Sequence, residues 1–274
     1  MSALVFRLKQ PPDRRIDLSG LIPEALQGRS ERAIARLALD GARNKLKVGD
    51  LFSLRMGEPM SLRFEGGSER LDLVGANMAA GEIVVEGSVG EQAGRLMRAG
   101  TLHIQGNAGP FAASRLKGGR LEIDGDAGDR LAAPLAGEMA GMSGGVVIVH
   151  GDAGARAGDR LRRGLIVVGG SSGKDAGSRM IAGTLVLRGK VAGAPGPLMR
   201  RGTIVLLGGD CPPSPTFLDC GSHHLVAATL LAAELERLGL GLARKLRRPV
   251  RRLAGDMAVA GKGEIWIASH SDPR

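Results

Sequence analysis

The chain has 274 residues, of which 43% are hydrophobic and only 2% aromatic, so an aliphatic core is expected. Its formal net charge of +10 favours a polyanionic partner or an acidic neighbouring subunit. Two cysteines exclude a disulfide framework, no apolar run reaches membrane-spanning length, and residues 1–10 lack a secretory apolar segment. We therefore expect a soluble, cytoplasmic protein.

The first 60 residues are irregular, and we expect residues 1–60 to form a strand-rich N-terminal cap. Val5 to Leu8 and Ile34 to Leu39 alternate like strands, whereas Pro23 to Leu26 predicts a single helical turn. Lys45 to Leu54 predicts a strand, a turn and a second strand.

A 19-residue repeat with two fixed glycines fills the middle of the chain. Leu62 to Glu65 and Leu71 to Val74 resemble imperfect first turns of it. The starting glycines of its seven units, with a seven-residue insertion after the third, are Gly81, Gly100, Gly119, Gly145, Gly164, Gly183 and Gly202. The second glycines, six residues later, are Gly87, Gly106, Gly125, Gly151, Gly170, Gly189 and Gly208. We predict that the second glycines are structural turn positions, used for positive φ and close backbone approach.

Aliphatic residues alternate between the two glycines of every unit, as Ile83 and Val85 do in the first. This period of two predicts a short strand with one buried face. A second aliphatic column, from Met78 to Met199, lies three residues before each starting glycine. Columns that recur at a fixed step predict stacked turns. The predicted fold class is all-β: a right-handed parallel β-helix of about seven turns over residues 61–209, with a C-terminal helix.

The outward strand position is apolar only in the second half of the repeat, at Ile148, Val167, Val186 and Val205. A strand that is apolar on both faces is covered on both faces. The cover is either the apolar helical stretch Leu225 to Leu240 or a partner subunit. We expect residues 210–274 to form a C-terminal cap of loop, helix and a final strand, Glu264 to Ala268.

The repeat carries no consistent catalytic column, and its histidines, among them His103 and His150, fall at unrelated positions. The Cys-x8-Cys-x2-His-His segment at 211–224 lacks zinc-site spacing, so we predict no metal site and a helix cap at Ser222. The glycine-rich segment 169–174 lacks Walker A spacing and is in register with the other turns. We expect no catalytic residue in this chain.

Cations recur two residues before the starting glycines, and a second basic cluster spans Arg244 to Arg252. The column cations are Arg98, Lys117, Arg162 and Arg200. They form either a solvated face or a positive stripe. Nucleic acid is the general partner of such clusters. The near absence of aromatic residues removes base-stacking platforms, and no nucleic-acid motif is present, so nucleic acid is not the expected partner.

Tandem glycine-rich turns of this kind resemble the C-terminal domain of the glutamate synthase large subunit. They resemble more closely the C subunit of formylmethanofuran dehydrogenase, whose bacterial relative belongs to the formyltransferase/hydrolase complex. The resemblance covers the segment from Gly49 to Phe52, the seven units from Gly81 to Gly208, and the helix and strand after them. The stand-alone length favours the C subunit, and the Ala/Gly/Arg-rich composition favours the bacterial version.

The resemblance implies a non-catalytic scaffold in a complex that moves a formyl group from formyl-tetrahydromethanopterin to a methanofuran-type carrier and releases formate. It implies amidohydrolase-like A, B and formyltransferase D subunits as partners, and no cofactor on this chain. The implied carrier bears a chain of glutamates, so Arg98, Lys117, Arg162 and Arg200 are its candidate binding residues. Two alternatives remain: a stand-alone relative of the glutamate synthase domain in amidotransferase chemistry, and a basic nucleic-acid-binding solenoid.

Overall fold

The computed structural model describes residues 2–39, 46–208, 214–241 and 243–268. The helices in these ranges are α1 (Pro23–Leu26), α2 (Glu31–Ala35), α3 (Val48–Leu51), α4 (Val226–Arg237) and α5 (Ala243–Leu246), with a 3-10 helix at Met257–Val259. The strands are β1 (Ala3–Leu8), β2 (Ile16–Asp17), β3 (Phe52–Arg55), β4 (Glu58–Glu65), β5 (Leu71–Asp72), β6 (Glu82–Glu86), β7 (Thr101–Ile104), β8 (Arg120–Ile123), β9 (Ser143–Val149), β10 (Arg163–Val168), β11 (Thr184–Leu187), β12 (Thr203–Leu206), β13 (Leu218–His223), β14 (Val250–Gly255) and β15 (Gly263–Ala268). Strand dominates this part of the chain, so the all-β class is confirmed.

Thirteen of these strands form one sheet in the order β13-β14-β15-β12-β11-β10-β9-β8-β7-β6-β4-β1-β3. In this order, all neighbouring strands between β15 and β1 pair in parallel. Antiparallel strands close both ends, β3 at one edge and β14 with β13 at the other. The end strands differ from the repeat because each returns along its neighbour.

The strand register follows the sequence repeat. Leu102 pairs with Leu121 across one 19-residue step, whereas Leu121 pairs with Val147 across the step that contains the insertion. A second line of parallel bridges joins successive turns outside the main strands, running from Ser68 through Ala127 to Val191. Each turn therefore contacts the next at more than one place along its path.

The aliphatic columns predicted from the repeat are buried. Ile83, Leu102 and Leu121 have no exposed surface, and neither do Met78, Met97 and the other members of the second column. Three of the five phenylalanines lie instead at the N-terminal end, where Phe6 stacks on Phe64 with ring centroids 4.9 Å apart and Phe52 packs edge-on. The aliphatic columns fill the repeat, and an aromatic cluster closes its start.

The starting glycines, not the second glycines, hold the left-handed backbone. All seven starting glycines have positive φ, whereas Gly87 is the only second glycine that does. The expectation of positive φ at Gly106 and Gly125 is wrong. Close approach applies there instead: a Cβ on Gly106 would lie 2.5 Å from the carbonyl carbon of Gly87 and 2.6 Å from the amide nitrogen of Ser88. Stacked backbones are too close at this column for any side chain.

A polar column next to the second glycines bonds one turn to the next. Asn107 Oδ1 accepts a hydrogen bond from the Asp126 amide at 2.8 Å, and Asp126 Oδ1 accepts one from the Asp152 amide at 2.7 Å. Asp152 Oδ1 accepts in turn from the Ser171 amide at 2.6 Å. The side chain of one turn lies over the second glycine of the next, which explains why that position has no Cβ.

The chain's own C-terminal segment covers the apolar half of the outer face. Val167, Val186 and Val205 form one buried cluster with Ala228, Ala232 and Leu235 of α4. Trp266 extends the row because it pairs in register with Val205, and only 5% of it is exposed. Of the two possible covers, the helix is therefore confirmed, and the partner subunit is not needed at this row.

Three local predictions are wrong. Ile34 lies in helix α2, because the Ser30 hydroxyl accepts from the Ala33 amide and starts a helix there. The segment before Phe52 is helix α3, because Asp50 accepts from the Lys47 amide at 2.8 Å. Ser222 lies in β13, and α4 begins after Leu225. Residues 40–45 lie outside the described ranges. By contrast, β1, α1 and β15 confirm the predicted elements there.

No helix in the described ranges has the length and apolarity needed to cross a bilayer.

Candidate functional site

Arg98, Lys117, Arg162 and Arg200 lie on one ladder, as their spacing predicts. Their backbone amides each donate to the preceding turn, from Arg98 to the Met78 carbonyl at 2.8 Å and from Arg200 to the Met180 carbonyl at 2.8 Å. All four side chains are exposed. Within the described part of the chain, none of the four makes a side-chain hydrogen bond or ion pair. The column presents four charges that are available to a ligand.

The spacing of the column follows from strand stacking. Arg98 and Arg200 are five turns apart, which is about 24 Å at about 4.8 Å per turn. Ser143 and Ile181 occupy the two intervening positions without charge. An extended chain rises about 3.4 Å per residue, so about seven acidic residues would span the column.

A groove of about 320 Å³ lies at the Arg200 end of the column. Arg160, Arg179 and Arg200 line it together with apolar Leu198 and Met139, whose surface is 83% exposed. Cations beside exposed apolar side chains suit an anion that also has an apolar part.

Two arginines beside the groove are held in place. Arg179 donates to both carboxylate oxygens of buried Asp159, at 2.9 and 2.5 Å. Arg160 donates to the carbonyl oxygen of Glu138 at 2.8 Å. These bonds fix both guanidinium groups. Because Asp159 offsets the charge of Arg179, Arg160 and Arg200 supply the positive charge of the groove.

The insertion loop beside the groove is anchored by Glu138. Its carboxylate accepts from Arg95 at 2.6 Å, from Arg115 at 3.2 Å and from the Leu135 amide at 2.8 Å. Burial opposes the charge, but the bonds from Arg95, the Leu135 amide and Arg115 prevail and lower the pKa of Glu138 to about 2. The loop therefore presents neighbouring Met139 from a fixed base.

The second basic cluster is largely neutralised by the chain itself. Arg247 bonds Glu236 at 2.8 Å, Arg251 bonds Asp219 at 2.7 Å, and Arg252 bonds Glu264 at 2.5 Å. The Arg251 bond lowers the pKa of the Asp219 carboxyl. This cluster is thus a weaker candidate for polyanion binding than the column.

A second site was not predicted from the sequence. Glu122 and Asp124 on and after β8 meet His150, which follows β9, and their ligand atoms all lie within 4.8 Å of one another. His150 Nε2 lies 2.9 Å from Glu122 Oε1, and His103 Nε2 lies 2.9 Å from Asp124 Oδ1. The histidines regarded as unrelated in sequence therefore flank one pair of carboxylates.

Glu122 is ionised at neutral pH in this setting. Partial burial opposes its charge, but hydrogen bonds from His150 and Arg120 prevail and lower the pKa of the carboxyl. Arg120 binds the other oxygen, Oε2, at 2.7 Å. The alternation of strand side chains was the sequence signal for this site. The third and fifth positions after a starting glycine point outward on the same face, and on adjacent turns these two positions are diagonal neighbours.

The cysteine–histidine segment has a different arrangement. His223 Nε2 lies 2.6 Å from the Cys220 carbonyl oxygen, within one turn of the chain at β13. Cys211 lies outside the described residues. The residues of this segment that are described do not converge as metal ligands.

No protein-family model matches the chain, but a known protein and a solved structure resemble it over nearly its whole length. It is 48% identical over 262 residues to the C subunit of the formyltransferase/hydrolase complex Fhc of Methylorubrum extorquens, covering 96% of this chain and 98% of that protein. It also superposes with a TM-score of 0.92, at 43% identity over 97% of this chain and all of the matched chain, on the crystal structure of the formyltransferase/hydrolase complex (FhcABCD) from Methylorubrum extorquens in complex with methylofuran. The chain therefore belongs to the family of C subunits of the formyltransferase/hydrolase complex.

Proposed function

We propose that this chain is the scaffold subunit of a cytoplasmic formyltransferase/hydrolase complex, in which other subunits transfer and hydrolyse the formyl group. The observation that carries this proposal is the similarity to the Fhc C subunit over 96% of the chain at 48% identity. The agreement in fold, with a TM-score of 0.92, supports the same role. The reaction is formyl transfer from formyl-tetrahydromethanopterin to a methanofuran-type carrier, followed by release of formate.

The architecture suited to this role is a right-handed parallel β-helix over residues 61–209, capped by residues 1–60 and 210–274. Two lines of parallel pairing with the same step between turns support the solenoid. Right-handedness follows from the strong preference of parallel crossover connections for that hand. A rod of stacked turns offers long, regular surfaces to several subunits at once.

Arg98, Lys117, Arg162 and Arg200 bind the glutamate chain of the carrier weakly in this proposal. Methylofuran is present in the related crystal structure, and the column's side chains have no acidic partner among the described residues. Each exposed ion pair contributes about 0.2–1 kcal/mol and is screened by salt. Four such pairs total about 1–4 kcal/mol, enough to raise the local carrier concentration while still allowing release.

The assembly is tested by co-expressing the full chain with the three other subunits of such a complex and recording native mass spectra. We expect one assembly that contains all four subunits, the amidohydrolase-like A, B and formyltransferase D subunits included. A flavin and iron–sulfur partner would instead indicate the amidotransferase alternative. Bound nucleic acid with strong salt dependence would indicate the nucleic-acid-binding solenoid.

The carrier site is tested in the assembled complex by replacing Arg98, Lys117, Arg162 and Arg200 with alanine. A matched control with the same loss of charge replaces four exposed cations outside the column: Arg32, Arg36, Lys174 and Lys190. We expect the column variant to raise the KM for the full-length carrier and to flatten its salt dependence. The control variant should keep the KM and the salt dependence of the unmodified complex. With a carrier that lacks the glutamates, the column variant and the control should have the same KM. An unchanged KM and salt dependence in the column variant would contradict the proposal.

A further inference from the structure

We propose that Glu122, Asp124 and His150 form a binding site for a divalent transition metal of the zinc class. The three ligand atoms lie within 4.8 Å of one another, so one ion can contact all of them after small side-chain rotations. Zinc–ligand distances of about 2.0–2.2 Å place donor atoms about 3–4 Å apart around the ion.

The backbone that carries these residues is fixed. Glu122 pairs in register with Ile148 across the β8–β9 step, so His150 is a diagonal neighbour two residues further along. Asp124 and His150 each donate their backbone amides to the preceding turn, at 2.9 Å in both cases. Only side-chain rotamers must adjust on binding, which limits the entropic cost.

Two neighbouring side chains, Arg120 and His103, orient the carboxylate ligands. Arg120 holds Oε2 of Glu122 and leaves Oε1 directed at His150. His103 lies 2.9 Å from one oxygen of Asp124 and fixes that carboxylate. Partners of this kind around the ligands raise metal affinity because they fix ligand orientation.

The donor set selects the class of metal. Imidazole nitrogen together with carboxylate oxygen suits zinc, cobalt and nickel, whereas magnesium and calcium prefer oxygen donors alone. Three protein ligands leave one tetrahedral position for water, because the site opens to solvent. His150 also borders an open groove of about 220 Å³ that Leu240 and Gly241 line after α4.

The test is calorimetric titration of the metal-free, full-length chain with zinc sulfate, in a Cys211→Ser, Cys220→Ser background that removes thiol ligands. We expect saturable binding of one zinc per chain. His150→Ala and Glu122→Gln should each weaken it at least tenfold. The matched control, His223→Ala with His224→Ala, removes exposed histidines elsewhere and should leave the affinity unchanged.

Cobalt(II) absorption provides a second readout. The visible bands should appear on titration and should be lost in His150→Ala, whose melting temperature should match the background chain. Magnesium sulfate should give no saturable heat. The proposal is overturned if zinc does not saturate, if His150→Ala binds as tightly as the background, or if the control loses binding to the same extent.

Discussion

Adding a single methyl group at a second glycine should destabilise the stacked turns. In Gly106→Ala the new Cβ would lie 2.5 Å from the Gly87 carbonyl carbon and 2.6 Å from the Ser88 amide nitrogen, both backbone atoms. In Gly125→Ala it would overlap Asn107 Oδ1 and lie 2.9 Å from the Gly106 carbonyl oxygen. The overlap also breaks the bond from the Asp126 amide to Asn107. Overpacking costs about 1–3 kcal/mol and a lost hydrogen bond about 1 kcal/mol.

We therefore expect Gly106→Ala to lose about 1–3 kcal/mol of unfolding free energy, and Gly125→Ala about 2–4 kcal/mol because it also loses the hydrogen bond. At about 2–4 °C per kcal/mol, the melting temperature should fall by about 2–12 °C in Gly106→Ala and by about 4–16 °C in Gly125→Ala. Thermal and urea unfolding followed by circular dichroism measure both quantities. Gly20→Ala is the matched control because nothing lies within 4 Å of its Cβ and its φ is not positive. If Gly106→Ala has the same melting temperature as Gly20→Ala, the close approach of stacked turns does not explain why glycine occupies these positions.

Two further variants test the anchored loop and the covered face. Because the pKa of Glu138 is lowered to about 2, its contribution is present above its unfolded pKa and is lost as pH falls towards 2. In urea unfolding, Glu138→Gln should lose about 3 kcal/mol of unfolding free energy at pH 7 and almost none near pH 2. The exposed control Glu69→Gln should lose little at either pH. An equal loss at both pH values, or a similar loss in the control, would contradict this. Val186→Asp buries a charge under α4, so it should lower the free energy of unfolding by several kcal/mol and expose the helix to limited proteolysis. Val84→Asp, on the uncovered half of the same row, should do neither. Equal melting temperatures for the two variants would refute the covering role of α4.

The repeat could be derived from the sequence because its physical requirements recur at every turn. A buried aliphatic pair such as Leu102 and Ile104 needs the same neighbours in each unit, and a second glycine such as Gly125 needs the same space. Identical columns therefore appear as a fixed period. The four column cations follow for the same reason, since register alone sets their alignment.

The tertiary structure decided what depends on diagonal neighbours and on contacts that do not repeat. His150 meets Glu122 only because the insertion leaves β8 and β9 in register, and Glu138 meets Arg95 only because that insertion folds back across earlier turns. Which of two covers packs on Val186 depended on where α4 lies. Near the N-terminus, two segments predicted as strands are helices, because the Ser30 hydroxyl and the Asp50 carboxylate each accept a hydrogen bond from a backbone amide there. A period reports an environment that every turn shares, so a contact made once leaves no periodic trace in the sequence.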